Sequence, residues 1–346
     1  MYIIGTVGPT VKDRIALKGI IDNGTNALRF NFAHGSRDEF LEFLRMAKNI
    51  KPEITIMLDV SGSKIRISNK FQYIYKVYDG EEIYFCGEDK YYKIKENLNR
   101  YRMKIIPLNI QNDMLLGENC KIITIKDNTM IFEVLEKEYG IIKVNVIKGG
   151  ILRKGKGCNI KGMDRSEIYL NKEDKKTILW GINNGVDIIC QSFVETGEYV
   201  KSIKSFIDNH NNSKRDIKIW AKVETLKGVQ NISEILEECD GIVIGRGDLV
   251  PETSIEETPV YEDEIIQEVM KAENKDVIIA THLFNSMRTG KRPNLAEVES
   301  VYNFIKRGVT GFLLAGETSV GKAPVKTVKF LSELIKRYKV DNQVKI

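Results

Sequence analysis

Short apolar runs alternate with amphipathic stretches along most of the chain. The runs fall at about 2–7, 25–32, 54–60, 187–193, 216–223, 241–247, 276–282 and 311–316. Each is short enough for a strand and is followed by a helical pattern. After the first run, Leu17, Ile20 and Ile21 stand at i, i+3 and i+4 and share one helix face. Gly24, Gly185 and Gly308 stand where helices must stop before the next strand. This rhythm predicts a parallel sheet. Eight such units predict a closed (β/α)8 barrel, although the spacing also allows an open doubly wound sheet.

The rhythm breaks between about 68 and 155. There Glu82–Phe85, Lys121–Ile125, Met130–Val134 and Ile141–Val146 form short alternating stretches separated by turn residues. They predict a small β-rich barrel inserted after the third strand. Residues 1–67 and 156–346 would then form the main barrel and 68–155 a lid domain. Gly149-Gly150 and the Lys-Gly-Lys-Gly run at 154–157 read as the return hinge. The last helix, about 322–338, ends almost at the end of the sequence, so no C-terminal allosteric domain is expected.

Composition narrows the class. Of 346 residues, 42% are hydrophobic and 29% charged, as in an ordinary globular enzyme. No apolar run approaches the roughly 20 residues that cross a bilayer, and the opening Tyr2-Ile-Ile-Gly-Thr-Val7 has no basic leader. The five cysteines are scattered and never form C-x-x-C. That pattern fits reduced, buried thiols in a cytoplasmic protein and argues against structural zinc. The net charge of +5 is explained equally by a basic face for nucleic acid or by anionic small substrates. The expected partner is a small anion rather than nucleic acid or a membrane, and homo-oligomers are compatible with the sequence.

In a barrel of this kind the reactive groups stand at the C-terminal ends of the strands. Five predicted strand ends are polar where core packing does not require it. They are Arg29-Phe-Asn31-Phe-Ala33-His34-Gly35, Asp59 leading to Lys64 and Arg66, Lys222-Val-Glu224, Arg246-Gly247-Asp248, and Thr281-His282. A salt bridge explains any one of them; it does not explain five on one rim. Glu224 and Asp248 are hard oxygen donors on neighbouring strands and suit Mg²⁺ or Mn²⁺. Period-two alternation puts Lys222 on the side of Glu224, where its charge can neutralise a phosphoryl group or an enolate. Arg29, Arg66 and Lys156 add positive charge for phosphates, and Gly247 lets backbone N–H groups approach a carboxylate. The rim suits a phosphorylated or enolic carboxylate held by a divalent metal.

Other features read more plainly. Gly316–Lys322 nearly spells a phosphate loop, but Ala323 stands where Ser or Thr is needed; a phosphate-binding turn of the barrel is the better reading. His282 either meets substrate or faces the barrel wall. His210 lies in a polar loop, and Trp180 and Trp220 read as core.

These segments resemble the pyruvate kinase family. Arg29–Gly35 looks like its Arg-Leu-Asn-Phe-Ser-His-Gly. Ala221-Lys-Val-Glu224 with Gly228-Val-Gln-Asn231 resembles its Ser-Lys-Ile-Glu and Gly-Val-x-Asn. Gly241–Leu249 is similar to its Arg-Gly-Asp-Leu strand, Ile279–Met287 to its Ala-Thr-Gln-Met-Leu-Glu-Ser-Met, and Ala315–Thr318 to its Ser-Gly-Glu-Thr. Lys126-Asp-Asn128 and the stretch from Gly149 to Asn159 resemble its mobile lid and hinge. The resemblance implies Glu224 and Asp248 as metal ligands and Lys222, with Arg29, as phosphoryl stabilisers. It puts Thr281 at the enolate, with Gly247 and Asp248 on the substrate. Arg29, Asn31, His34, Arg66 and Lys156 would hold ADP or ATP. It departs from the family at the monovalent-cation site, where Ala33 and Val60 replace two hydroxyl residues. Lys64 stands where many members have Glu, so its ammonium would stand in for K⁺, which would not be required.

The expected activity is therefore phosphoryl transfer between phosphoenolpyruvate and ADP. The alternatives are a metal-dependent pyruvate-enolate enzyme without nucleotide use, such as a decarboxylase or biosynthetic enzyme, and a weakly catalytic regulatory protein.

Overall fold

The computed structural model describes residues 1–32, 35–98, 103–117, 120–126, 128–138, 140–212 and 214–343. The chain packs as two compact units, one of Met1–Gly62, Ile168–Leu249 and Glu256–Ile346, the other of Ser63–Glu167 and Val250–Ile255. The second unit contains the whole stretch expected as an insertion, extends past it on both sides and takes in a hexapeptide from later in the chain.

The first unit is a closed barrel of eight parallel strands: β1 (Tyr2–Thr6), β2 (Ala27–Asn31), β3 (Thr55–Val60), β4 (Ile188–Gln191), β5 (Lys218–Val223), β6 (Gly241–Gly245), β7 (Asp276–Ala280) and β8 (Gly311–Leu314). They follow chain order around the ring, and β8 pairs with β1 to close it. The open-sheet alternative is thereby excluded. Each strand lies inside an apolar run of the sequence, trimmed by at most two residues at either end. Helix Arg14–Asp22 buries Leu17, Ile20 and Ile21, the face its spacing predicts, and starts where the Asp13 carboxylate accepts the Ala16 N–H.

Strand alternation decides which side chains enter the lumen. Ile4, Ala27, Met57, Ile188, Cys190, Trp220, Val243, Ile278 and Leu313 form one buried apolar cluster. Their chain neighbours, among them Leu28, Leu58, Ile189, Ala221 and Ile242, belong to a separate cluster shared with the surrounding helices. Trp220 is fully buried and meets the Tyr2 ring edge-on at 5.2 Å. Trp180 is partly buried and packs on Phe32 at 5.0 Å.

The second unit is built on a seven-stranded sheet in the order Ile65–Arg66, Gly157–Ile160, Ile122–Ile125, Met130–Glu138, Ile141–Lys148, Glu82–Gly87, Ile105–Leu108. A bridge between Ile67 and Leu108 joins its two edges and curls it into a barrel-like form. Phe85 and Phe132 meet edge-on in its core at 5.4 Å. Buried Arg165 and Asn159 bind Glu252 at 2.6 and 3.1 Å, which ties Val250–Ile255 to this unit. Two of the expected hinge glycines lie in strands, Gly150 opening Gly150–Leu152 and Gly157 opening Gly157–Ile160, while Gly155 stands in a turn with φ +79. At Gly149 the reason for glycine is close approach, because a Cβ there would stand 2.3 Å from the Val77 carbonyl oxygen.

All five cysteines are buried and none forms a disulfide. Burial pushes the thiols up, Cys86 to about 12 and Cys239 to about 11, so both stay protonated and unreactive. No described helix is long and apolar enough to cross a membrane.

One buried carboxyl fixes the turn that follows β3. Helix Lys172–Asn183 starts on an Asn171 cap, and Asp174 in its first turn is only 3% exposed. The Asp174 carboxyl accepts the backbone N–H groups of Ser61 and Gly62 and the Asn171 amide at 2.9 Å. Gly62 has φ +58, and a Cβ there would stand 2.1 Å from the Ser192 carbonyl oxygen. Burial outweighs these N–H donors and lifts Asp174 from 3.8 to about 7. The unfolded chain thus loses this proton near pH 4 and the folded chain near pH 7, so stability falls as pH rises across that window, by of order 4 kcal/mol at about 1.4 kcal/mol per unit. We expect Asp174→Asn to flatten the thermal-unfolding midpoint between pH 4 and 7 relative to the native chain. Parallel pH profiles for the two proteins would contradict this reading.

Candidate active site

One step beyond the apolar lumen layer, toward the C-terminal ends of the strands, the inward positions become polar. Arg29, Asp59 and Lys222 replace the Ala27, Met57 and Trp220 of the layer below. All three are buried, Asp59 to 2% exposure. Arg29 Nε donates to Asp59 Oδ2 at 2.6 Å, and Lys222 Nζ donates to Oδ1 and Oδ2 at 3.2 and 3.0 Å. Ser192 Oγ donates to Oδ1 at 3.0 Å, and Arg29 Nη1 donates to Thr6 Oγ1 at 3.2 Å. Strand register places Asn31 level with Asp59.

Burial by itself pushes the Asp59 carboxyl up, but the Arg29 and Lys222 cations together hold it at about 2. Burial likewise pushes the Lys222 ammonium down, and the Asp59 and Glu224 carboxylates reverse that and raise it. Lys222 therefore stays charged inside the barrel.

Glu224 follows β5 on the side of Lys222, with its Oε1 3.8 Å from Lys222 Nζ. Its Oε2 accepts the Phe193 N–H at 3.1 Å, and Phe193 has φ 54, a left-handed value for a bulky residue. Gly245 leaves space for this carboxylate, since a Cβ there would stand 2.7 Å from Glu224 Oε1. Asp248, 9% exposed, stands in the first turn of helix Arg246–Glu252. Among the described residues no group of three or more His, Cys, Asp or Glu side chains is arranged to hold a metal.

Beyond β7 the chain turns sharply. Thr281 and His282 have φ 67 and 52, and non-glycine residues cost about 1–2 kcal/mol each in that region. Thr281 Oγ1 donates to the Ala280 carbonyl at 2.6 Å and accepts the Gly247 N–H at 2.8 Å. Arg246 donates to the Thr281 carbonyl through Nε and Nη2. His282 is exposed, with its Nδ1 3.3 Å from Asn285 Nδ2.

A cavity of about 780 Å³ adjoins the polar layer, with Arg29 and Asn31 in its wall beside Thr6, Pro9, Phe40 and Phe43. The turn after β8 borders it through Gly316 and Ser319. That turn's Glu317 faces inward instead, accepting the Ala315 and Phe284 N–H groups at 3.0 and 3.3 Å.

The structure brings Arg29 and Lys222 onto Asp59, sets Glu224 beside Lys222 and joins Gly247 to Thr281. Lys64, Arg66 and Lys156 belong to the second unit. There Arg66 Nη1 donates to the Gly155 carbonyl at 3.1 Å and Lys156 to that of Ile151. Ala33, His34 and Asp127 lie outside the described residues. Sequence reasoning missed Thr6, Ser192 and the clamp by Arg246. Thr6 was within reach, because alternation places it on the side of Ile4.

Fold and rim define the class: a (β/α)8 barrel whose ionisable side chains gather at the C-terminal ends of its strands. A family model described as the pyruvate kinase barrel domain matches residues 1–328. The pyruvate kinase of Clostridium perfringens is 31% identical over 97% of this chain and 69% of its own length. Pyruvate kinase 1 of Saccharomyces cerevisiae is 31% identical over 96% of this chain and 66% of its own length. The Geobacillus stearothermophilus pyruvate kinase is 30% identical, covering 97% and 56%. The chain belongs to the pyruvate kinase family, and it spans between about half and two thirds of the length of these relatives.

The shared carboxylate makes a sharp expectation. Asp59→Asn keeps the side-chain shape and leaves two buried cations without their anion, a loss of roughly 3–5 kcal/mol. The thermal midpoint at pH 7 should drop accordingly. The native chain should also lose stability as pH falls from about 4 toward 2, where Asp59 takes up its proton, and the variant should lack that component. An unchanged midpoint at pH 7 would show that Arg29 and Lys222 are held by other means.

Proposed function

We propose that the chain transfers a phosphoryl group from phosphoenolpyruvate to ADP, giving pyruvate and ATP. The observation that carries this reading is Lys222, buried yet kept charged by Asp59, with Glu224 beside it at the rim. Family membership and the cavity at Arg29 and Asn31 support it; a cavity of that size suits a nucleotide.

Phosphoryl transfer asks for positioning and charge neutralisation rather than covalent chemistry by the protein. Arg29 and Lys222 bind the phosphoryl oxygens and hold them against the end of the barrel. Their shared tie to Asp59 fixes both side chains before substrate arrives, so no reorganisation accompanies the reaction. Lys222 then faces the enolate oxygen left on the three-carbon fragment. Gly247 and Thr281 would meet its carboxylate and reacting carbon, and the enolate carbon would take a proton from solvent on the Thr281 side. Arg66 and Lys156 would add charge for the nucleotide phosphates.

Glu224 and Asp248 fit a hard divalent cation. Both donors are carboxylate oxygens, Gly245 leaves the Glu224 carboxylate its space, and two ligands leave positions for water and substrate oxygens, as Mg²⁺ prefers. Mg²⁺ or Mn²⁺ bound there supplies charge to stabilise phosphoryl and enolate oxygens. The protein works in the cytoplasm, and a homo-oligomer is compatible with its function.

A coupled assay of phosphoenolpyruvate plus ADP with Mg²⁺ tests the reading, with oxaloacetate as a parallel substrate. Nucleotide-dependent pyruvate formation is expected. Pyruvate from oxaloacetate alone would replace it with an enolate enzyme that uses no nucleotide. Calorimetry should show Mn²⁺ binding abolished by both Glu224→Ala and Asp248→Ala; native affinity in either variant would remove that residue from the metal site.

The monovalent ion gives a separate prediction. Val60 is fully buried and brings no side-chain oxygen to the position where the family places a hydroxyl, and Ala33 lacks the other. Losing two ligands weakens a site for a hard cation, while Lys64 supplies a tethered ammonium. Turnover should be nearly equal in Na⁺, K⁺ and tetramethylammonium at fixed ionic strength, and Lys64→Glu should reduce it. Order-of-magnitude activation by K⁺ over tetramethylammonium would rule out Lys64 as the surrogate.

A further inference from the structure

We propose that Arg246 is a positioning residue for the reaction: its guanidinium clamps the Thr281 carbonyl and so holds the left-handed turn that sets the Thr281 hydroxyl against the Gly247 backbone. The kinetic part of this proposal rests on the phosphoryl-transfer reading; the structural part does not.

The starting point is the pair of positive φ angles at Thr281 and His282, 67 and 52. Left-handed residues other than glycine occur singly and against a steric cost, and a β-branched threonine is among the least suited. Two in succession must be held from outside. Arg246 provides the hold, with Nη2 at 2.5 Å and Nε at 3.1 Å from the Thr281 carbonyl oxygen. Two N–H groups of one rigid fork on a single acceptor constrain direction as well as distance.

The clamp is itself fixed. Arg246 is 9% exposed, Glu262 Oε1 is 3.9 Å from its Nε, and its guanidinium lies 5.3 Å from the Phe304 ring centroid. The Arg246 charge thus has a counter-charge and an aromatic face without turning away from Thr281. At the other end of the turn, Thr281 Oγ1 is held between the Ala280 carbonyl and the Gly247 N–H. Arg246 and Gly247 are consecutive, so the same short stretch that leads into Asp248 grips Thr281 by carbonyl and by hydroxyl. The end of β7 and the end of β6 therefore move as one piece. Strain at such a turn persists only where its surroundings over-determine it, and without the guanidinium the turn relaxes and the hydroxyl shifts. Binding through Arg29 on β2 and Lys222 on β5 is left intact.

The test uses Arg246→Gln, which removes the fork, and Arg246→Lys, which keeps the charge and serves if the first variant folds poorly. His282→Gly, added to either, relieves the backbone cost at the turn without restoring the guanidinium. In the coupled assay the Arg246 variants should lose roughly 100-fold in kcat, the scale of a misplaced reacting group. KM for phosphoenolpyruvate and the Mn²⁺ dissociation constant should stay within about twofold of native. Adding His282→Gly should return about tenfold or more of the lost kcat. A parallel rise in KM, or no recovery with His282→Gly, would reduce Arg246 to a binding or folding role.

Thermal unfolding provides the arm that needs no activity. His282→Gly should raise the midpoint more in an Arg246 variant than in the native chain. Equal shifts in both backgrounds would overturn the clamp. If the native chain turns over no phosphoenolpyruvate with ADP, the phosphoryl-transfer reading fails, and the unfolding comparison still decides the clamp.

Discussion

A closed barrel cannot hold a lysine and an arginine in its lumen unless an anion is built in with them. Removing such charges from water costs several kcal/mol each, and an unpaired amine would shed its proton instead. Asp59 meets this constraint for both cations at once. Its carboxylate uses one oxygen toward Arg29 and both toward Lys222, and Ser192 supports it from just past the end of β4. Because the anion is shared, it does not by itself neutralise both cations. Glu224, 3.8 Å from Lys222, brings a second carboxylate to the same end of the barrel, so the four charges balance there.

The rest of the first unit serves this arrangement in layers. Below it, Trp220, Met57, Ile4 and their neighbours fill the lumen with apolar side chains and deny water an entry from beneath. Above it, Glu224, Asp248, Gly247 and Thr281 come from strand ends and the turns after them. Those turns are held by backbone contacts that particular residues make possible. Glu224 lies against a glycine and accepts a main-chain N–H, and the Ser61-Gly62 turn is bonded to the buried Asp174. Rigid strands thus supply the charge, and braced turns supply the finer placement.

How much of this was legible in the sequence depends on the range of the interaction concerned. Strands show themselves locally, so all eight were found, and alternation correctly put Lys222 and Glu224 on one side. The identity of Lys222's partner was hidden, because Asp59 stands 163 positions away and nothing in its own segment points to β5. The same holds for Arg165 and Glu252, whose pairing 87 positions apart draws a hexapeptide into the second unit and places the boundary where composition shows no change. Gly149 and Gly150 read as a hinge because glycine marks flexible turns and close backbone contacts alike. Only the approach of the Val77 carbonyl distinguishes the two uses.

The two-residue rhythm of β5 also limits how its gene can change. Trp220 and Lys222 share the inward face with the Glu224 that follows them, while Ile219, Ala221 and Val223 pack against the helices. Insertion or deletion of one codon upstream within this strand would exchange the two sets. It would drive the lysine toward the hydrophobic shell and bring valine to the rim, even though every residue needed was still encoded. Two codons added or lost together would keep the faces in phase. Length changes in this strand should therefore persist only in even steps, whereas substitutions that respect each face remain open to drift.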